Sequence, residues 1–154
     1  MHFRILGIAA SVALVAGWTG PSAPRPQAVK YVAQMTGAAE TPANTTTGTG
    51  TAHFTLVGMR LRYAITVKGL TGAATMAHIH VGKVGVGGPP VYSFTIKHVA
   101  SGGLASGFID LAKEVSKGVS GDSLMALING GDAYVNVHTA ANKGGEIRGQ
   151  IEKQ

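Results

Sequence analysis

Two alternating segments joined by a glycine-rich turn constrain the fold of this chain more than any other feature. They read AYVNVHTAANKGGEIRGQI and occupy Ala133 to Ile151. Side chains alternate between the two faces of a β-strand, so Val135 and Val137 share one face of the first arm, and His138 shares the other with Tyr134. The pattern predicts an antiparallel β-hairpin whose valines lie in a core and whose histidine points away from it.

A second stretch with the same period supplies two more histidines. In MAHIHV, Met76 to Val81, His78 and His80 lie on one face and Ile79 lies on the opposite one. Three imidazoles are therefore expected on faces that do not belong to the core.

Short runs of strand-forming residues fill the chain from Val29 onward. Val, Ile, Thr and aromatic residues recur in them, several with period-two alternation, and turn-forming residues separate the runs. Further strands are expected over residues 29–35, 51–57, 61–67, 91–96 and 103–111. One short helix is expected between an N-cap at Ser120–Asp122 and a C-cap signal at Asn129–Gly130.

The sequence thus predicts an all-β fold, an antiparallel Greek-key β-sandwich or flattened barrel of about seven or eight strands with one short helix. Its expected core consists of inward-facing residues: Phe54, Leu56, Leu61, Tyr63, Ile65, Val67, Ile79, Val135, Val137 and Ile147.

Composition excludes several classes of function. The length of 154 residues is enough for one domain with a substantial core. The net charge of +6 is spread without a basic run, so nucleic-acid binding is not expected. The chain has no cysteine, which excludes disulfides, thiolate metal ligands and cysteine nucleophiles. No Ser-His-Asp arrangement or pair of carboxylates suitable for hydrolysis can be recognised.

Residues 1–28 are expected to be a signal peptide followed by a proline-rich leader. Arg4 lies in a short basic segment, and residues 5–17 form an apolar segment of the usual length of about 7 to 15 residues. This segment is shorter than the about 20 residues that span a bilayer. We therefore expect residues 29–154 to be the folded domain of a secreted or periplasmic protein, with no membrane contact beyond the signal segment. The alternative is a retained N-terminal membrane anchor.

Several motifs resemble the CHRD domain, the module also found repeated in chordin. In chain order they are GAAETP (37–42), GTGTAHF (48–54), YAITVKGLTG (63–72), AHIH (77–80), GGPPV (87–91), YVNVHT (134–139) and GGEIRGQI (144–151). The resemblance covers nearly all of the chain after Val29. It implies a secreted or cell-surface protein, in chordin in a context of growth-factor antagonism, and it implies little about activity.

A weaker similarity of layout connects the histidines with copper-zinc superoxide dismutases. In that family an HxH pair on one strand and a histidine from a late strand hold copper on the outside of a Greek-key barrel, and His78, His80 and His138 are similar in order. The sequence departs from that pattern in three ways. The 82–90 loop has no histidine to match a zinc-bridging ligand, no cysteine is present for the intersheet disulfide, and Glu146 stands about where that family carries its active-site arginine. These departures leave copper binding possible and put dismutation in doubt.

His78, His80 and His138 are accordingly the candidate metal ligands. Residues two apart on a strand have Cα atoms about 6.6 to 7 Å apart and side chains on the same face, so two imidazoles can converge on one ion. Copper is the first choice and zinc the second, because neutral imidazoles suit both metals. Metal affinity is expected to fall as the pH drops through about 6.5, since protonated imidazole cannot bind. His53, which is expected to point outward, is an optional fourth ligand.

Each of these features also has a simpler interpretation. An HxH pair on a strand is often just a solvated surface, and no role is assigned to His98, in an irregular stretch, or to His2. Glu146 and Arg148 are expected to form an ion pair worth about 0 to 1 kcal/mol if it is exposed. Three functional classes follow: a copper-binding protein, an extracytoplasmic protein-interaction or adhesion module without metal, and a superoxide-dismutase-like copper enzyme.

Overall fold

The fold is seen in a computed structural model that describes residues 27–116 and 118–154. The expected signal peptide and most of the leader, together with His2, lie outside the described residues. Within the described part, no helix is both long enough and apolar enough to cross a membrane.

Alternating sequences form the strands of a curled antiparallel sheet. The elements are β1 (Val29–Thr36), β2 (Thr49–Val57), β3 (Arg60–Lys68), β4 (Ala74–Val81), β5 (Pro90–Ser93), β6 (Gly102–Asp110), β7 (Glu114–Ser116), β8 (Val119–Ser120), α1 (Gly121–Gly130), β9 (Ala133–Thr139), β10 (Ile147–Gln150) and β11 (Glu152–Lys153). The strand order is β5-β4-β9-β10-β1-β2-β3-β6, β11 pairs with β1, and β7 and β8 form a separate ribbon. The predicted hairpin is formed by β9 and β10, which pair antiparallel.

The chain that follows β5 links the two edges of the sheet. The backbone N–H of Phe94 donates to the carbonyl of Ala77 in β4 at 3.0 Å, and that of Lys97 donates to the carbonyl of Leu104 in β6 at 2.8 Å. Because the backbone leaves β4 at this point, β5 ends at Ser93 rather than at residue 96 as predicted. The connections β3–β4 and β5–β6 each pass between the two ends of the strand order. The predicted all-β flattened barrel is confirmed.

The core is the one that the alternation predicts. Of the ten predicted core residues, all except Leu56 are buried, and Leu56 is partly buried and packs against them. In β3 the buried and exposed positions alternate over the whole strand, as expected for a strand with one face toward a core.

The helix α1 closes one part of this core. The Oγ of Ser120 accepts a hydrogen bond from the backbone N–H of Ser123 at 3.1 Å, which confirms the N-cap. The helix ends at Gly131, whose φ of 73° is left-handed, one residue beyond the predicted cap. Leu124 and Ile128 are its buried contacts with the barrel.

Candidate metal centre

The pairing of β4 with β9 brings the three candidate ligands to one face of the sheet. In this antiparallel ladder His78 lies opposite Asn136, and Met76 lies opposite His138. Directly opposed residues project from the same face. His138 is therefore a diagonal neighbour of His78, and His80 is the next residue on that face of β4.

The three imidazoles are close enough to share an ion. His78 Nδ1 lies 3.2 Å from His138 Nε2, and one ligand nitrogen from each of the three residues lies within 4.8 Å of the others. Metal–nitrogen bonds of about 2.0 to 2.1 Å put ligand nitrogens roughly 3.3 to 3.6 Å apart. The set therefore fits one metal ion after small side-chain movements.

Two backbone carbonyls determine which nitrogen each ring offers. His80 Nδ1–H donates to the carbonyl of Gly88 at 2.8 Å, and His138 Nδ1–H donates to the carbonyl of Lys143 at 3.0 Å. Both rings thus keep the lone pair on Nε2, and second-sphere bonds of this kind orient metal-binding histidines in proteins. His80 Nε2 is buried without a hydrogen-bond partner, which fits a ring whose partner is a metal ion.

All three rings are held in the neutral form that a metal requires. Burial, with smaller contributions from the charges of His138 and His80, lowers the pKa of His78 to about 4. Burial also lowers the pKa of His80, against the opposing effect of its bond to Gly88. Burial likewise lowers the pKa of His138. Neutral imidazole is the ligating species, so the site is ready to bind at neutral pH.

The histidines lie on the face opposite the core, as expected, but this face is less exposed than a surface cluster would be, since His78 and His80 are partly buried. All seven residues of β9 are buried, including His138, which is only 6% exposed. Part of the cover is the loop between β4 and β5, residues 82–89, whose Gly88 carbonyl bonds His80. Arg148 Nη2 holds this loop by donating to the carbonyls of Lys83 at 2.8 Å and Val86 at 2.9 Å. The polar residues of β9 therefore face a protein layer rather than solvent.

A stack of three side chains fixes His80 beneath this loop. The guanidinium carbon of Arg148 lies 3.4 Å from the centre of the Tyr134 ring. The Tyr134 ring is stacked on that of His80, with 5.0 Å between centroids and 15° between planes. The Tyr134 hydroxyl also accepts from the backbone N–H of Gly88 at 3.2 Å. Arg148 and Tyr134 thus hold both the ring and the carbonyl that orients it.

The predicted ion pair between Glu146 and Arg148 was also wrong. The fully buried Glu146 carboxylate accepts from the hydroxyls of Thr46, Thr71 and Thr139 at 2.8, 2.6 and 2.6 Å, and from the N–H of Thr71 at 2.7 Å. Burial raises its pKa, but these bonds outweigh burial and bring the pKa to about 2. Glu146 therefore ties the β9–β10 hairpin to two loops.

A second carboxyl lies above β9, and the sequence interpretation gave it no role. Asn136 Nδ2 donates to Glu40 Oε1 at 2.8 Å. Burial raises the pKa of Glu40 to about 7, although the bond from Asn136 and the charge of Arg148 oppose this shift. Asn136 Oδ1 is buried without a partner. The signal for Glu40 was its place in the GAAETP motif, whereas carbonyls such as those of Gly88 and Lys143 leave no mark on a sequence.

The remaining histidines lie elsewhere. His53 is exposed on β2, and two strands, β10 and β1, separate β2 from β9 in the sheet. His98 Nδ1 bonds the carbonyl of Ala74 at 2.9 Å. Among the residues that the structure describes, neither belongs to the histidine group, so the optional fourth ligand His53 is not placed at the site.

An all-β barrel with three convergent imidazoles under a loop defines the class of protein: an antiparallel β-domain with a candidate metal centre. The family model of the CHRD domain matches residues 31–151. Since this match covers most of the chain, the protein belongs to the CHRD domain family, whose members are typically extracellular. No curated protein matches the sequence at a significant level. The similarity of layout to copper-zinc superoxide dismutases stays a prediction.

Proposed function

We propose that this protein is an exported CHRD-domain protein that binds one copper ion through His78, His80 and His138. The observation that carries the proposal is the convergence of one ligand nitrogen from each of three histidines within 4.8 Å. It is supported by His80 Nε2, which is buried without a hydrogen-bond partner. An unpartnered buried acceptor of this kind is unusual in proteins.

Copper is preferred to zinc for reasons of ligand chemistry. The donor set is three neutral imidazoles, and the chain has no cysteine thiolate to complete a closed structural zinc site. For such a nitrogen site the general order of affinity places Cu²⁺ above Zn²⁺. Three protein nitrogens leave a coordination position for water or a small ligand. Export, which we infer from the apolar segment at residues 5–17, would place the protein where copper is handled.

The test is a copper titration of the exported, processed protein produced without a histidine tag. We expect about one copper per chain, with affinity lowered at least about tenfold in His80→Ala and in His138→Ala, since each removes a metal ligand. His53→Ala and His98→Ala are the matched controls and should bind as the parent does. Parallel titration with zinc gives the preference between the two metals.

A metal-free protein that takes up no stoichiometric copper would contradict this proposal. The protein-interaction module would then be the better interpretation, and the exposed side chains of Val84 and Val86 on the covering loop favour it. A dismutase assay of the copper-loaded protein tests the enzyme alternative. N-terminal sequencing of the exported protein tests the signal peptide, and intact Met1 in a cytosolic fraction would contradict it.

A further inference from the structure

A methionine lies beside the histidine group and is half-exposed rather than packed in the core. Met76 precedes His78 by two residues on β4 and is the direct partner of His138 on β9, so its side chain is on the face that carries the histidines. It is 48% exposed, on a strand that lies next to the edge strand β5 and pairs with it only at His78, Ile79 and His80. An apolar side chain in the core would be buried, and this one is not.

The backbone is irregular next to this methionine. The β4–β9 register shifts between Ala74 and Met76, so that Thr75 has no partner on β9. A β-bulge re-aims the neighbouring side chains and is frequent beside functional sites. Here Thr75 and Met76 are both exposed, whereas a regular strand would alternate.

Methionine can supply a soft thioether ligand, which histidine cannot. Opposed residues of an antiparallel pair have Cβ atoms about 4.5 to 5.5 Å apart, and a methionine side chain has three rotatable bonds with which to place its sulfur. The thioether is a soft ligand that selects Cu(I), whereas imidazole binds Cu, Zn and other metals without such selection.

We propose that the Sδ of Met76 is a fourth ligand that makes this site a Cu(I) site with three nitrogens and one sulfur. This inference rests on the proposed function, because it needs copper at His78, His80 and His138. Met76 increases the affinity for Cu(I) specifically and leaves the binding of Cu(II) and zinc to the histidines. The bulge before Met76 gives the thioether the freedom to approach the ion.

The test compares two methionines of equal exposure. Met76→Leu removes the sulfur and keeps the apolar bulk, and Met59→Leu is the matched control, since Met59 is 49% exposed in the turn between β2 and β3. Cu(I) affinity is measured anaerobically by competition with a chromogenic Cu(I) chelator. We expect a loss of about tenfold or more in Met76→Leu, equivalent to about 1.4 kcal/mol, and no change in Met59→Leu.

A second measurement observes the bond itself. The copper K-edge absorption of the Cu(I)-loaded parent should show a sulfur scatterer that Met59→Leu retains and Met76→Leu lacks. Equal Cu(I) affinity in all three proteins, or a parent spectrum without sulfur, overturns the role of Met76 while copper binding by the histidines stands. A Met76→Leu variant that loses Cu(II) as strongly as Cu(I) also overturns it. A parent that binds no copper at all refutes the proposed function as well.

Discussion

The substitution Glu146→Gln tests the buried carboxylate network. Folding moves the pKa of this carboxyl from 4.5 to about 2. Since one pKa unit corresponds to about 1.4 kcal/mol, the folded protein favours the ionised form by about 3 kcal/mol. Glutamine keeps the shape, loses the charge and replaces one acceptor oxygen by a donor. We therefore expect Glu146→Gln to lower the free energy of unfolding by about 3 kcal/mol at neutral pH, as for the loss of a buried hydrogen-bond network.

The assay is urea unfolding of parent and variant from pH 7 to pH 2, with the exposed Glu152→Gln as the control. The native-state pKa of Glu146 is depressed, so its contribution is complete above the unfolded-state value near 4.5 and is lost as the pH falls through about 2. The difference between parent and Glu146→Gln should accordingly shrink over this window. The control should differ from the parent by less than about 0.5 kcal/mol.

The size of the loss also distinguishes a buried hydrogen-bond network around Glu146 from an exposed ion pair with Arg148. An exposed ion pair with Arg148 would be worth about 0 to 1 kcal/mol and would weaken in salt. A loss of less than about 1 kcal/mol on Glu146→Gln, or a loss that does not change between pH 5 and pH 2, would refute the buried network.

Two further predictions concern the core and the pH dependence of the site. Ile65→Ala should lower the free energy of unfolding by about 2 to 5 kcal/mol through cavity formation, because Ile65 is almost fully buried. Urea unfolding measures this loss, with Val57→Ala at an exposed position as the control. A loss no larger than that of the control would contradict the prediction. Copper affinity should persist through pH 6.5, where the sequence alone predicted its loss, and fall at lower pH, because burial lowers the pKa of His78 to about 4 and also lowers the pKa values of His80 and His138. A titration series in non-chelating buffers measures this, and a loss centred at about pH 6.5 would contradict the lowered pKa values.

The alternation of the sequence predicted the faces of the strands well. It placed Val135 and Val137 in the core and put His78 and His80 together on the opposite face, because the period of two is a property of the strand itself. The pairing of β4 with β9, which brings His138 to the other two histidines, is seen in the structure.

The loop that covers the His80 end of this face could not be predicted in this way. It depends on Arg148, whose guanidinium reaches the carbonyls of Lys83 and Val86, more than sixty residues away in the chain. Every residue type has the same backbone carbonyl oxygen, so the sequence of the loop does not show that its carbonyls accept these bonds. Alternation distinguishes two faces of a strand, but it does not tell whether a loop covers the second one.

The burial of His80 leaves one of its ring nitrogens without a hydrogen-bond partner, which is energetically unfavourable. Burying a polar atom without a hydrogen bond costs about 1 to 3 kcal/mol, and His80 Nε2 is such an atom. The stack of Arg148 and Tyr134 holds that nitrogen in place, and the bond to Gly88 prevents the ring from offering Nδ1 instead. The surrounding contacts thus keep His80 Nε2 buried without a partner instead of letting the ring turn to find one. A metal ion bound at Nε2 would supply the missing partner, because a neutral imidazole nitrogen whose other N–H is already bonded is a good metal ligand.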